Sequence, residues 1–147
     1  MSETVKSVTV SINNLKSLSI HTIRVIIAWT DRAGDLRRKD AMDLAYLLSA
    51  YEKIPRVTDI LYGDDTQIME RSDWDITQSS ACLLGQHAHS IAQDNTRVEI
   101  GRFVKGELGE RSPENLIDEM CTQRRDSQYE RNKQLLSAFL TGFGTSI

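Results

Sequence analysis

The stretch that most constrains this chain is residues 20–51, IHTIRVIIAWTDRAGDLRRKDAMDLAYLLSAY, because it predicts two helices with charges among apolar residues. Ile20, Ile23 and Ile27 recur at the spacing of one helical stripe, and most residues between them are apolar. We therefore expect the first helix to be buried, with Arg24 on the same stripe as the isoleucines. A charge on a buried stripe is expected either to be paired or to line a site.

The second predicted helix shows the same pattern. Its carboxylates Asp40 and Asp43 share a face with Leu44, Leu47 and Tyr51. Apolar residues on that face predict contact with the core, so the two carboxylates also need partners or a functional reason for their position.

Two hypotheses explain these charges. In the first, they form a structural network in which Arg24 pairs with Asp40 or Asp43 across the two helices. In the second, they face a cleft, where Arg24, Arg32 and Lys39 meet phosphates and the carboxylates orient the bound group. The physics of charge burial favours the structural network, because buried ionised groups need partners wherever they occur.

Composition gives broad limits. A chain of 147 residues is expected to form one domain, residues 1–147, with an ordinary 39% hydrophobic content and 27% charged content. The formal net charge of −3 gives no support for nucleic-acid binding through bulk electrostatics. Cys82 and Cys121 are too few for a disulfide framework, so we expect a cytoplasmic location. The longest fully apolar run, Val25–Trp29, is far shorter than the roughly 20 residues of a membrane span.

The N-terminal residues have a different pattern from the rest. Residues 4–12, TVKSVTVSI, alternate and are rich in Val and Thr, which predicts one short strand before a turn at Asn13-Asn14. A lone strand leaves its edges unpaired. We therefore expect either a second strand within residues 15–19, or a sheet that is missing from this chain. In the second case the strand would pair with another copy of the chain, with a missing N-terminal half or with a partner protein. The predicted fold is mainly α, with a strand region over residues 1–18 and a helical bundle over residues 19–147.

Helix start and stop signals divide the bundle. Ser19, Asp35, Ser72 or Asp73, and Ser112-Pro113 are the main predicted starts. Short connections between helices favour a single bundle. The predicted helical segments are approximately residues 19–31, 35–53, 56–62, 64–70, 74–92, 98–108, one beginning at 113, and 128–140.

One motif has the spacing of a metal site. Asp73-Trp74-Asp75 is a D-x-D, and Gly63 precedes it by ten residues. Nucleotidyltransferases use Gly-Ser and a nearby D-x-D to hold Mg²⁺ against a triphosphate. Here Asp64 follows Gly63 in place of Ser, and no strand is predicted around the two carboxylates. A helix N-terminus, where acidic residues are favoured, explains the pair better.

A second motif has metal-binding residue types. His87 and His89 lie near Cys82, but residues two apart on a helix point in different directions and cannot chelate one ion. No metal site is predicted in this chain.

The charged helices also carry a resemblance. Arg24, Ala28-Trp29 and Arg32, followed by RKDAMDL at residues 38–44, resemble the core of bacterial nucleotidyltransferase-like proteins of the abortive-infection toxin type. These belong to the polymerase-beta nucleotidyltransferase superfamily. Leu83-Leu84-Gly85 and LLSAFLTG at residues 135–142 extend the similarity, which covers about residues 8–142.

For an intact relative, the resemblance implies Mg²⁺-dependent transfer of a nucleotide from NTP to an RNA or protein acceptor. Arg24 and Lys39 would contact phosphates, while Asp40 and Asp43 would position them or the acceptor. This chain departs from the pattern, since it has Arg24 in place of the usual Lys and lacks the Gly-Ser and D-x-D site. We therefore expect the helical C-terminal part of such an enzyme, inactive alone and without a cofactor of its own. The alternative is a non-catalytic helical binding module, such as an antitoxin, a regulator or a subunit.

Overall fold

A computed structural model describes residues 11–64, 66–122 and 126–145, which are predominantly helical and contain no strand. This confirms the prediction of a mainly α bundle. None of the helices in these ranges is both long and apolar enough to cross a membrane. In chain order the helices are α1 (Ser11–Asp31), α2 (Gly34–Ala50), α3 (Pro55–Asp59), α4 (Thr66–Arg71), α5 (Ile76–Ile91), α6 (Asp94–Val104), α7 (Pro113–Met120) and α8 (Asp126–Gly142), with a 3₁₀ turn at Tyr51–Lys53 and a π turn at Ile60–Asp64.

Helix α1 begins earlier than the sequence predicted. Residues 4–10 of the predicted strand lie outside the described residues, but residues 11–18 of the predicted strand region are helical, and that part of the prediction is wrong. Ser19 is inside the helix and does not cap it. Its hydroxyl donates to the carbonyl oxygen of Leu15 at 2.7 Å, so this hydroxyl is satisfied without ending the helix.

The buried face of α1 is rotated from the predicted stripe. Ser19, Thr22, Ile26 and Trp29, spaced three or four apart, are all completely buried, whereas Arg24 is exposed. The Thr22 hydroxyl also donates to a carbonyl one turn earlier, at 2.7 Å. Because local hydrogen bonds satisfy both hydroxyls, small polar residues can face the core and the apolar stripe alone does not define the buried side.

The N-termini of α5 and α7 are both capped by side chains. Ser112 accepts a hydrogen bond from the backbone of α7 and Pro113 occupies the first turn, as predicted. Helix α5 is capped by Asp75 and not by Ser72 or Asp73. Asp73 and Trp74 have φ values of 53° and 62°, outside the right-handed helical region, so the helix can begin only after them.

Helices α5 and α8 cross with their backbones in close approach. A Cβ atom added to Gly85 would overlap the carbonyl oxygen of Phe139, and one added to Gly142 would overlap that of Cys82. The two backbones therefore touch at this crossing, where no side chain larger than hydrogen fits at either glycine.

Helix α7 is fixed to the α1–α2 hairpin through Glu119. Its carboxylate accepts a hydrogen bond from the Trp29 indole at 3.0 Å and from Arg37 Nε at 3.1 Å. The Arg37 guanidinium also lies 5.6 Å from the Trp29 ring centroid. One carboxylate thus joins α1, α2 and α7 at the end of the hairpin that carries the predicted charged site.

Candidate functional site

The predicted charged site lies where α1 ends and α2 begins. Asp40 on α2 is 4% exposed and faces Arg32, the first residue after α1. Arg32 Nη2 donates to Asp40 Oδ1 at 3.2 Å, and Nε lies 3.1 Å from Oδ2. The second contact has an ion-pair distance without hydrogen-bond geometry, so Oδ2 has no hydrogen bond from any described residue. The arginine itself is 44% exposed in its side chain, so it extends from a buried carboxylate to the surface.

The next pair on α2 is more exposed. Lys39 Nζ lies 3.1 Å from Asp43 Oδ2, with side-chain exposures of 71% and 38%. One turn earlier, Arg38 pairs with Asp35 at 2.6 Å, also at the surface. Pairs of this type are screened by solvent and contribute little to folding, so both cations remain available to an incoming anion.

Arg24 does not take part in the predicted network. It lies on the exposed side of α1, and the two carboxylates expected to bind it pair with Arg32 and Lys39 instead. The prediction that Arg24 occupies a buried stripe is therefore wrong. The structure brings together Arg32 with Asp40 and Lys39 with Asp43 at one end of the hairpin.

A groove that the sequence did not reveal runs between α2 and α8. It encloses about 650 Å³, within the range of ligand-binding clefts. Met42 and Tyr46 form its rim on α2, with Tyr46 67% exposed. Met42 and Tyr46 are one helical turn apart on the polar side of α2, and this spacing was the sequence signal for one side of the groove. The opposite wall comes from residues far along the chain, which the sequence could not place there. The described lining is Met42, Ala45, Tyr46, Ser49, Glu52, Thr77, Met120, Thr122, Ser127, Gln128, Arg131, Asn132 and Leu135.

Arg131, in the groove lining on α8, forms an ion pair with Asp75, the N-cap of α5. Arg131 Nη1 and Nη2 bind Asp75 Oδ2 and Oδ1 at 2.7 and 3.0 Å. The hydrogen bonds from Arg131 lower the pKa of Asp75 from its usual value, and the backbone N–H of Gln78 lowers it further. Beside them, the Thr77 hydroxyl donates to Glu52. Asp75 of the D-x-D is therefore a helix cap and an ion-pair partner, while Asp73 is exposed.

A buried polar pair lies on another side of α5. The Tyr51 hydroxyl is 2.7 Å from His87 Nδ1, and Tyr51 is 1% exposed. Burial raises the pKa of Tyr51 and lowers that of His87, so both groups are held neutral. His89 instead packs edge-on against Phe143, with ring centroids 5.4 Å apart. Among the described residues, no group of three His, Cys, Asp or Glu side chains is arranged to hold a metal ion.

Comparison with known proteins adds no relative: no family model, no curated protein and no solved structure matches this chain. The functional assignment therefore depends on the charged motif of residues 24–44 and on the geometry around it.

Proposed function

We propose that this chain is the helical part of a nucleotidyltransferase-like protein, in which the α1–α2 hairpin supplies cations to a phosphate group. The observation that carries the proposal is the pair of Arg32 and Asp40. A buried carboxylate holds one edge of the guanidinium through Nε and Nη2, while the side chain remains 44% exposed. An arginine held in this way is oriented before its ligand arrives, so less side-chain entropy is lost on binding.

The start of α2 supports the same function. Its N-cap, Ala33, provides no side-chain hydrogen bond to the first turn, and α2 is 17 residues long. The N–H groups of that first turn are open to solvent or to an anion, and the helix dipole favours negative charge there. Arg32 directly precedes this turn, and Arg38 and Lys39 follow it.

The chain's own contribution is to bind and orient, and not to activate metal. Asp75 is committed to Arg131 and to the start of α5. In this proposal the carboxylates that hold Mg²⁺ and the nucleotide belong to another polypeptide region or to a partner chain. The acceptor would be an RNA or a protein, as for the family that the motif resembles.

Titration calorimetry with Mg·ATP tests the proposal. We expect weak binding, with a Kd of about 1 mM, that Arg32→Gln and Lys39→Gln each weaken by about tenfold, because each removes one charge-assisted contact. Arg102→Gln is the matched control, since Arg102 is 46% exposed and pairs with Glu99 on α6. Absence of binding, or an equal loss in the Arg102 variant, would contradict the proposal. With labelled NTPs and total RNA, the chain alone should transfer no label.

The groove favours a second candidate, a non-catalytic helical binding module. Aromatic residues and Met are enriched at protein interfaces, and Tyr46 and Met42 are exposed on one rim. A photo-crosslinking residue at position 46 can be compared with one at position 62, where Tyr62 is similarly exposed (57%) but lies outside the described lining. One discrete partner captured from position 46 alone would support the module, and equal capture from both positions would oppose it.

A further inference from the structure

A second pocket lies between α4, α5 and α8 and shares no described lining residue with the groove. It encloses about 280 Å³. Its lining includes small residues of both helices, Cys82 on α5 and Ala138 and Gly142 on α8.

The two long helices line this pocket with neutral hydrogen-bonding groups. Gln78 and Gln86 are eight residues apart on α5 and so lie on the same face, and Ser137 and Thr141 are one turn apart on α8. Each amide can donate through its NH₂ group, and each hydroxyl can donate or accept. The pocket therefore offers several donors from two rigid elements.

The third wall adds a positive charge. Arg71, the last residue of α4, is the only charged side chain among the described lining residues, and it has no ion pair with a described residue. Neighbouring Glu70 and Asp73 are exposed and are not among that lining. A guanidinium beside neutral donors, without a carboxylate in the lining, favours an anionic ligand.

We propose that this pocket binds a small oxyanion, a phosphate or carboxylate group of a small molecule, with Arg71 as its counter-ion. The hydroxyls of Ser137 and Thr141 and the amides of Gln78 and Gln86 complete its hydrogen bonds. A volume of about 280 Å³ lies just below the common range of ligand pockets and suits a compact anion better than a nucleoside triphosphate. This site is separate from the hairpin proposed to contact nucleotide phosphates.

NMR titration of the full chain tests the site. Inorganic phosphate and acetate are each added against chloride at constant ionic strength, which separates phosphate binding from carboxylate binding. We expect saturable shifts in the backbone or side-chain resonances of Arg71, Gln78, Gln86 and Thr141 with at least one of the two anions. Arg71→Gln should weaken binding by about tenfold or more, as expected for the loss of a charged hydrogen-bond donor.

Two controls test whether anion binding occurs at this pocket. Arg56→Gln makes the same charge change on an exposed helical residue that is not among the described lining, and should leave binding unchanged. The bound anion should also slow alkylation of Cys82 while leaving that of Cys121 unchanged, as measured by mass spectrometry of the two peptides. Unsaturable shifts with both anions, shifts confined to other residues, or an equal loss in Arg56→Gln would overturn the proposal.

Discussion

At the scale of single residues, Asp40 is buried at a helix interface while its partner is not. A carboxylate loses hydration on burial, and only a well-placed cation or several donors can offset that loss. Arg32 provides one hydrogen bond and one ion-pair contact, and its own exposure means that it loses less hydration than a buried arginine. The pair therefore combines a buried carboxylate with an arginine side chain that stays partly in solvent.

The first prediction concerns this pair. Arg32→Gln should lower the free energy of unfolding by about 1–2 kcal/mol, between the values for surface pairs and those for hydrogen bonds to charged groups. A double-mutant cycle with Asp40→Asn in urea should give a clear coupling energy for Arg32–Asp40. The parallel cycle for Arg24–Asp40 should give none, because Arg24 is exposed and Asp40 pairs elsewhere. Coupling to Arg24 but not to Arg32 would contradict the observed geometry.

The second prediction concerns His87. Burial lowers its folded-state pKa, so the unfolded chain takes up a proton first as the pH falls below about 6.5. Stability should therefore decline from about pH 6.5 downwards until the folded-state His87 is also protonated. His87→Gln keeps an acceptor for the Tyr51 hydroxyl but does not titrate, so it should reduce this decline. His21→Gln makes the same substitution at an exposed position of α1 and serves as the matched control. Urea midpoints measured at a series of pH values provide the comparison.

At the scale of secondary-structure elements, one predicted cap is confirmed and others are wrong: Ser112 caps α7, whereas Ser19 lies inside α1 and Asp35 lies inside the first turn of α2, whose N-cap is Ala33. The cap at Ser112 could be predicted because it depends on the next three residues. The direction of Arg24 could not, because it depends on which face of α1 the other helices cover. Asp40, Asp43, Arg32 and Lys39 were predicted as site residues, but the sequence could not say which cation pairs with which carboxylate.

Other parts of the site have no local signal at all. Asp75 and Arg131 are 56 positions apart, and their contact joins the start of α5 to α8, where Arg131 also lines the groove. The sequence predicted a break between helices that included Asp94. The break lies just before it, at Ala92 and Gln93, and α6 already begins at Asp94. Such features depend on how the helices pack. Packing is determined by many contacts between distant residues and cannot be read from any one stretch of the sequence.

The third prediction concerns the crossing of α5 and α8. Gly85→Ala should lower the free energy of unfolding by about 1–3 kcal/mol, because the new methyl group overlaps the Phe139 carbonyl and must push the helices apart. This loss should exceed the gain of about 1 kcal/mol from replacing glycine inside a helix. Gly101→Ala is the matched control, since its Cβ would meet nothing within 4 Å. That variant should be stabilised by about 0.5–1 kcal/mol in the same urea experiment. Destabilisation of both glycine variants by similar amounts would argue against close packing as the cause.

At the scale of the whole molecule, the buried apolar residues form one cluster that extends from α1 to α8. Trp29 on α1 packs edge-on against Phe103 on α6, with centroids 6.0 Å apart, and Glu119 joins it to α7. Helix α5 contacts both α1 and α8, so no described helix needs to fold separately from this core. A shared core predicts that the elements lose their structure together.

The last prediction is that unfolding is a single cooperative transition. The chain has two tryptophans, of which Trp29 is buried and Trp74 is 55% exposed, so Trp74→Phe leaves a fluorescence probe inside the core. Its urea transition should coincide with loss of helical circular dichroism, which averages over all helices. Leu136→Val on α8, far along the chain from Trp29, should shift both transitions equally, by roughly 1 kcal/mol. If that variant moved the circular dichroism transition and left the Trp29 transition in place, α1 and α8 would belong to separately folding units.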